Sequence, residues 1–116
     1  MNQGSKIIFC EYVDSQSKPI NAKKTFELGP AGVNVKFLSP VASQATSKIL
    51  YEIHKVNQDS SEEYEDAIFT NVNPMRDFHS CEFTFYKSGR FKVRIYDSKK
   101  KNLLNSGTIQ IINSPF

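Results

Sequence analysis

Hydrophobic and polar side chains alternate along much of the chain with a period of two, as in Val33, Val35 and Phe37. Since successive side chains of a β-strand point to opposite faces, this period predicts strands with one buried face. Leu50 interrupts the alternation of its segment. Apolar spacing typical of an amphipathic helix is not found over any long window. The predicted strands are 6–13, 22–28, 33–39, 47–56, 64–72, 81–86, 90–97 and 103–113.

Turn-forming residues separate these strands. The sequence "GPAG" at 29–32 predicts a tight reversal, 57–63 a hairpin loop, and 73–80 an irregular connection that crosses from one sheet to the other. We expect 6–13 to lie at a sheet edge and Gly107 to mark a bulge or kink in the last strand. Short strands with frequent turn signals predict an all-β fold, an antiparallel β-sandwich of seven or eight strands.

The sequence "FTFYKSGRFKVRIYDS" at 83–98 consists of a strand, a turn with glycine and a second strand. It resembles the penultimate hairpin of immunoglobulin-like modules, including fibronectin type III, PKD-like and bacterial cell-envelope domains. The resemblance extends from Cys81 to Ile112 and implies an immunoglobulin-like fold. The aromatic residue after the turn is usually a Tyr whose hydroxyl anchors a corner; here it is Phe91, which packs without that hydrogen bond. Such sandwiches host many roles, so the resemblance implies a fold and no activity.

The length of 116 residues predicts one domain over 1–116, with 1–5 and 114–116 as tails. A net charge of +3 is smaller than nucleic-acid binders usually carry, so we expect no nucleic-acid partner. No apolar run approaches the roughly 20 residues of a transmembrane helix. The compartment stays open: a secreted or cell-envelope protein if a signal was removed before Met1, and a cytoplasmic one otherwise.

A row of positive charges is the first candidate site. Arg90, Lys92 and Arg94 alternate with apolar residues that are expected to face the core, so the three charges share an outer face. Each lies about 7 Å from the next, and the row could bind an acidic partner. The alternative is a solvated face whose cations pair with carboxylates on the next strand, at about 0.2–1 kcal/mol per pair.

Aromatic residues next to the loops are the second candidate site. Tyr64, Phe78, Tyr86 and Tyr96 flank predicted turns. Exposed rings could form a protein-binding or sugar-stacking patch. The alternative is that each ring packs against the rim of the core.

Carboxylates cluster in the segment that contains Asp59, Glu62, Glu63, Glu65 and Asp66. Converging carboxylates could hold a hard cation such as calcium, although their order differs from that of a dedicated calcium loop. The alternative is a solvated hairpin tip, and we predict no metal site.

Cysteine and histidine residues raise two further possibilities. Asp77, His79 and Cys81, with His54, are residue types found in zinc sites and in Cys–His nucleophiles, but their spacing matches neither, so we predict no catalytic residue and no cofactor. Cys10 and Cys81 could form a disulfide, worth about 4 kcal/mol, or stay reduced and pack as small apolar residues.

Together these features predict a non-enzymatic interaction or assembly module that binds a protein partner through a sheet face or loops. One alternative is a carbohydrate-binding accessory module that binds a glycan. Another is a C2-like β-sandwich linked to calcium or lipid. If the basic row of one copy met the acidic segment of another, the protein would form a homo-oligomer.

Overall fold

The computed structural model describes residues 7–16, 18–40, 48–71, 78–97, 99–100 and 102–114. These residues form strands and turns, and they include no helix that could cross a membrane. The ten strands are β1 Ile8–Cys10, β2 Tyr12–Val13, β3 Pro19–Ile20, β4 Thr25–Leu28, β5 Val33–Pro40, β6 Lys48–Val56, β7 Glu62–Asn71, β8 Phe78–Phe85, β9 Gly89–Asp97 and β10 Leu103–Asn113.

Two sheets pack face to face. One has the strand order β1-β5-β8 and the other β4-β10-β9-β6-β7, while β2 and β3 form a separate two-stranded sheet. Neighbouring strands are antiparallel, except that β4 runs parallel to β10. The predicted all-β, largely antiparallel sandwich is therefore confirmed, and β1 lies at a sheet edge as expected.

The core lies between the two sheets and consists largely of residues that alternate along each strand. Phe91, Val93 and Ile95 of β9 are almost fully buried, as their alternation predicts. From the opposite sheet Phe37 contacts Tyr51, with ring centroids 5.8 Å apart. The buried members of this cluster are Ile7, Phe9, Phe26, Val35, Phe37, Ile49, Tyr51, Ile53, Phe85, Phe91, Val93, Ile95, Ile109 and Ile111.

The amino-terminal region contains more strands than predicted. The segment 6–13 is interrupted at Glu11, so that β1 joins the three-stranded sheet and β2 pairs with β3. An Asx-type turn at Asp14, whose carboxylate accepts the N–H groups of Gln16 and Lys18, reverses the chain between β2 and β3. This short hairpin raises the number of strands from the predicted seven or eight to ten.

The strands β8 and β9 do not form the hairpin that 83–98 predicts. β8 pairs with β5, whereas β9 pairs with β6 and β10 in the other sheet. Both strands bury aromatic residues, and the rings of Phe85 and Phe91 meet across the core with centroids 4.8 Å apart. The turn therefore crosses between the sheets. The connection after β7 also crosses between them, as predicted; residues 72–77 lie outside the described residues, and 78–80 belong to β8.

Gly107 has a different role from the predicted bulge. The shift of register in β10 lies between Leu103 and Asn105. A Cβ atom at Gly107 would lie 3.1 Å from Cζ of Phe9, which belongs to the opposite sheet. A side chain at this position would therefore require the Phe9 ring to move by a few tenths of an ångström.

Candidate binding surface on the five-stranded sheet

A row of apolar side chains crosses the outer face of the five-stranded sheet. The strand register places Phe69, Leu50, Tyr96 and Leu103 opposite one another on β7, β6, β9 and β10. Because neighbouring strands lie about 4.8 Å apart, this apolar row is about 14 Å long. Leu50 is buried, but Phe69 and Leu103 are 59% and 56% exposed.

Sequence reasoning does not single out Phe69 or Leu103, because their relation depends on the register of four strands. The local signal in the sequence is Leu50, which interrupts the alternation of 47–56. Its position on the outer face accounts for that interruption, since Ile49 and Tyr51 beside it face the core.

A network of charged side chains lies next to the apolar row. Lys100 Nζ is 2.6 Å from Glu52 Oε2, and His54 Nε2 is 2.9 Å from Glu52 Oε1. The other ring nitrogen of His54 lies 3.8 Å from Glu62 Oε1. Both carboxylate oxygens of Glu62 accept hydrogen bonds from Arg94, at 2.7 and 2.8 Å. We call Lys100, Glu52, His54, Glu62 and Arg94 the charged network.

The network keeps its carboxylates ionised. Burial alone would raise the pKa of Glu52, but the hydrogen bonds from Lys100 and His54 outweigh it and lower the pKa. The hydrogen bonds from Arg94 lower the pKa of Glu62, and Glu62 in turn raises the pKa of Arg94. At neutral pH this face therefore presents charges of both signs beside exposed apolar side chains.

The basic row, which consists of Arg90, Lys92 and Arg94, divides into two parts. All three cations lie on the outer face of β9, as predicted, opposite residues of β6 and β10. Arg94 is bound to a carboxylate, as in the alternative, but that carboxylate is Glu62 of β7, two strands away, and not one on the next strand. Arg90 and Lys92 form no ion pair with any residue in the described part of the chain. Lys92 interacts with Glu62 at a distance longer than an ion pair, and its charge helps to lower the pKa of that carboxyl.

The predicted aromatic site residues do not form one patch. Tyr64 is 62% exposed and its ring contacts His54, while Tyr96 lies beneath Lys100, so these two share the outer face. Tyr86, 74% exposed, follows β8 at the opposite end of β9 from Tyr96. The side chain of Phe78 lies outside the described residues.

The acidic segment does not gather its carboxylates around one point. Glu62 is bound by Arg94, Glu65 is paired with Lys87 at 3.1 Å, and Asp59 accepts hydrogen bonds within its own turn. Among the residues that the structure describes, no three His, Cys, Asp or Glu side chains are arranged to hold a metal ion.

Both cysteines are free thiols. Cys10 on β1 lies opposite Lys36, and Cys81 on β8 lies opposite Phe37, so they flank β5 and point to opposite faces of the sheet. Strands on either side of a third are about 9–10 Å apart, beyond the reach of a disulfide. The geometry therefore excludes the disulfide, and of the two possibilities the reduced thiols are the correct one.

The neighbourhood of Cys81 is structural. Burial raises the pKa of this thiol to about 12, so it is not a nucleophile at neutral pH. The Tyr51 hydroxyl, which hydrogen-bonds this thiol, also lies 2.9 Å from His79 Nδ1. His54 belongs to the charged network on the other sheet, and Asp77 lies outside the described residues. The residue types considered for a zinc site or a Cys–His nucleophile therefore do not come together among the described side chains.

The two sheets and the aromatic core between them define an immunoglobulin-like β-sandwich. The chain is similar in structure to an immunoglobulin-like protein from Pseudomonas aeruginosa, with 11% sequence identity, a TM-score of 0.55, and coverage of 96% of this chain and 94% of that chain. At this identity the likeness shows the fold, which confirms the fold implied by 83–98. No protein-family model matches the sequence, and no curated protein matches it.

Proposed function

We propose that the protein is a non-enzymatic module that binds another protein through the outer face of the five-stranded sheet. The observation that carries this proposal is the apolar row, in which Phe69 and Leu103 are both more than half exposed on one face. Exposed apolar side chains on one sheet face, here at the two ends of the row around the buried Leu50, are unfavourable in water and are typical of a protein interface.

The surroundings of the apolar row support a protein partner. The charged network presents both signs of charge beside the row, and charges at the margin of an interface set the orientation of a partner. The partner expected from this chemistry presents an apolar ridge with charged residues at its margin. A sugar-stacking platform is less well supported, because Tyr86 and Tyr96 lie at opposite ends of β9.

A cross-linking experiment identifies the partner. A photoreactive amino acid is placed at Leu103, and the matched control carries it at Ser80, which is exposed on the outer face of the other sheet. We expect a cross-linked protein that is specific to position 103. The same protein is then purified, and its affinity for the intact chain is measured by calorimetry.

Truncation of the apolar row then tests whether this face binds that protein. Phe69→Ala is expected to weaken binding at least tenfold, as truncation of an interface anchor does. Its free energy of unfolding should change by less than about 0.5 kcal/mol, because the side chain is exposed. Ser80→Ala should change neither the affinity for the partner nor the free energy of unfolding. A partner whose affinity is unaffected by Phe69→Ala would contradict the proposal.

A further inference from the structure

We propose that a groove along the free edge of β10 binds an extended acidic peptide segment, which adds to the sheet as a further strand. The groove has a volume of about 360 Å³ and lies between β1 of one sheet and β10 of the other. It begins at Ser106, further along β10 than Leu103 of the apolar row. The proposal therefore does not depend on the function proposed for that row.

Within the groove, the backbone of β10 has one position, Thr108, at which the described residues leave the side away from β9 unpaired. β4 pairs with the last four residues of β10, and Gln110 N–H donates to the Lys24 carbonyl oxygen at 2.8 Å. Alternate residues of a strand direct their N–H and C=O groups to the same side, so Ser106 and Thr108 point away from β9 as Gln110 does. Ser106 N–H is bound by the side chain of Asn105. For Thr108 the described residues provide no backbone partner on this side.

The chain before β4 turns away and leaves space for a strand. Lys23 N–H donates to the Phe9 carbonyl oxygen at 2.9 Å, so this segment lies against β1 instead of continuing along β10. The inner wall of the resulting groove is apolar and consists of Ile7, Phe9 and Ile109. An edge with open hydrogen-bonding groups and an apolar wall suits strand addition by a peptide.

The positively charged side chains that line the groove favour an acidic peptide. Lys24, Arg90 and Lys92 line it, and no Asp or Glu is among the described residues that do so. None of these three cations forms an ion pair with another described residue. A carboxylate placed there would gain attraction without displacing an existing pair.

The geometry also predicts the pattern of the peptide. Successive side chains of an added strand point alternately to the apolar wall and to the outer face, where Arg90 and Lys92 lie. The segment that fits therefore alternates apolar and acidic residues. A segment of the same composition with its acidic residues in one block fits only half of the groove.

Two synthetic peptides test this inference on the full chain labelled with ¹⁵N. One is a capped hexapeptide of alternating valine and glutamate, and the other has three valines followed by three glutamates. We expect the alternating peptide to shift the amide resonances of 106–110 and to slow hydrogen exchange at Thr108 at least tenfold. The block peptide should bind at least tenfold more weakly and should leave exchange at Thr108 unchanged.

Charge reversal supplies the matched variants. Lys92→Glu and Arg90→Glu should each weaken binding of the alternating peptide at least tenfold. Lys99→Glu, which makes the same change of charge at an exposed position in the turn after β9, should alter it less than twofold. Amide spectra of each variant show whether it is folded.

Three results would overturn the proposal. Equal binding of the two peptides would mean that the groove attracts charge without adding a strand. Slow exchange at Thr108 in the free protein at every concentration would mean that the chain itself covers this edge. Slow exchange that appears only at high protein concentration would assign the edge to a second copy of the chain.

Discussion

Removing one hydroxyl group from the core tests how the sandwich accommodates its buried polar atoms. Tyr51 is fully buried, and its hydroxyl oxygen lies 2.9 Å from His79 Nδ1. Tyr51→Phe keeps the ring that packs against Phe37 and deletes the hydroxyl alone. The change in stability therefore reports on the polar contacts of this hydroxyl, with His79 and with the Cys81 thiol, and not on the packing of the ring.

The expected magnitude follows from the environment of the pair. A hydrogen bond contributes about 0.5–1.5 kcal/mol net, and leaving a buried partner unpaired costs about 1–3 kcal/mol. Because His79 is only partly buried, water can reach it in part, and the lower half of that range applies. We expect Tyr51→Phe to destabilise the fold by about 1–2 kcal/mol.

Urea denaturation measures this change. The midpoint should fall while the slope with denaturant concentration stays constant, since the fold and its buried area do not change. Tyr86→Phe makes the same chemical change at a side chain that is 74% exposed, and it should cost less than about 0.5 kcal/mol. A double-mutant cycle with His79→Phe should give a coupling energy of at least about 0.5 kcal/mol.

The contact between Tyr51 and His79 also predicts that the stability of the protein depends on pH. Burial lowers the pKa of His79 below the usual histidine value of about 6.5, so the folded state favours the neutral ring. The neutral His79 ring contributes its full share of stability above the pKa that this histidine has in the unfolded chain. That contribution is lost as the pH falls below this pKa. The intact protein should therefore lose stability between pH 7 and pH 5.5, and His79→Phe should lose less over the same interval.

Equal unfolding free energies for Tyr51→Phe and Tyr86→Phe would refute this reasoning. That result would mean that the hydroxyl of Tyr51 gains nothing from His79 and Cys81 that it does not gain from water. Equal pH dependence of the intact protein and His79→Phe would separately refute the role given to the neutral ring.

Two further changes test the packing of the two sheets and the state of the thiols. Gly107→Ala should destabilise the fold by about 1–3 kcal/mol in the same assay, because the new methyl group meets the Phe9 ring, whereas Gly29→Ala has room and should cost less. Iodoacetamide at pH 8 should label Cys10 and Cys81 at least a hundredfold more slowly in the native protein than in urea, since Cys10 is buried, Cys81 is partly buried, and the pKa of both thiols is raised. Rapid native labelling of Cys81, measured by mass spectrometry, would contradict its assigned environment.

The strands of the two sheets could be predicted from alternation because burial on one face leaves a period of two in the sequence. Phe91, Val93 and Ile95 are an example, since each is buried as its position indicates. The hairpin at 12–20 was missed because its strands are two residues each, too short to show any period.

The pairing of strands could not be predicted in the same way. Two consecutive strands with buried aromatic faces can lie side by side in one sheet or face each other across the core, and the alternation along each strand is the same in both cases. The contact between Phe85 and Phe91 shows that β8 and β9 face each other. A turn with glycine between two strands therefore indicates a reversal of the chain, but not whether the chain changes sheet.

Because the pairing of strands could not be predicted, the partners of the basic row could not be predicted either. Alternation alone places Arg90, Lys92 and Arg94 on one outer face, and it treats them as equivalent. The fold distinguishes them, because Glu62 of β7 reaches Arg94 across β6, while Arg90 and Lys92 lie beside the open edge of β10. The row therefore contributes to two surfaces, since Arg94 belongs to the charged network beside the apolar row and the other two cations belong to the groove. Charge reversal at Lys92 and truncation at Phe69 should accordingly affect different partners.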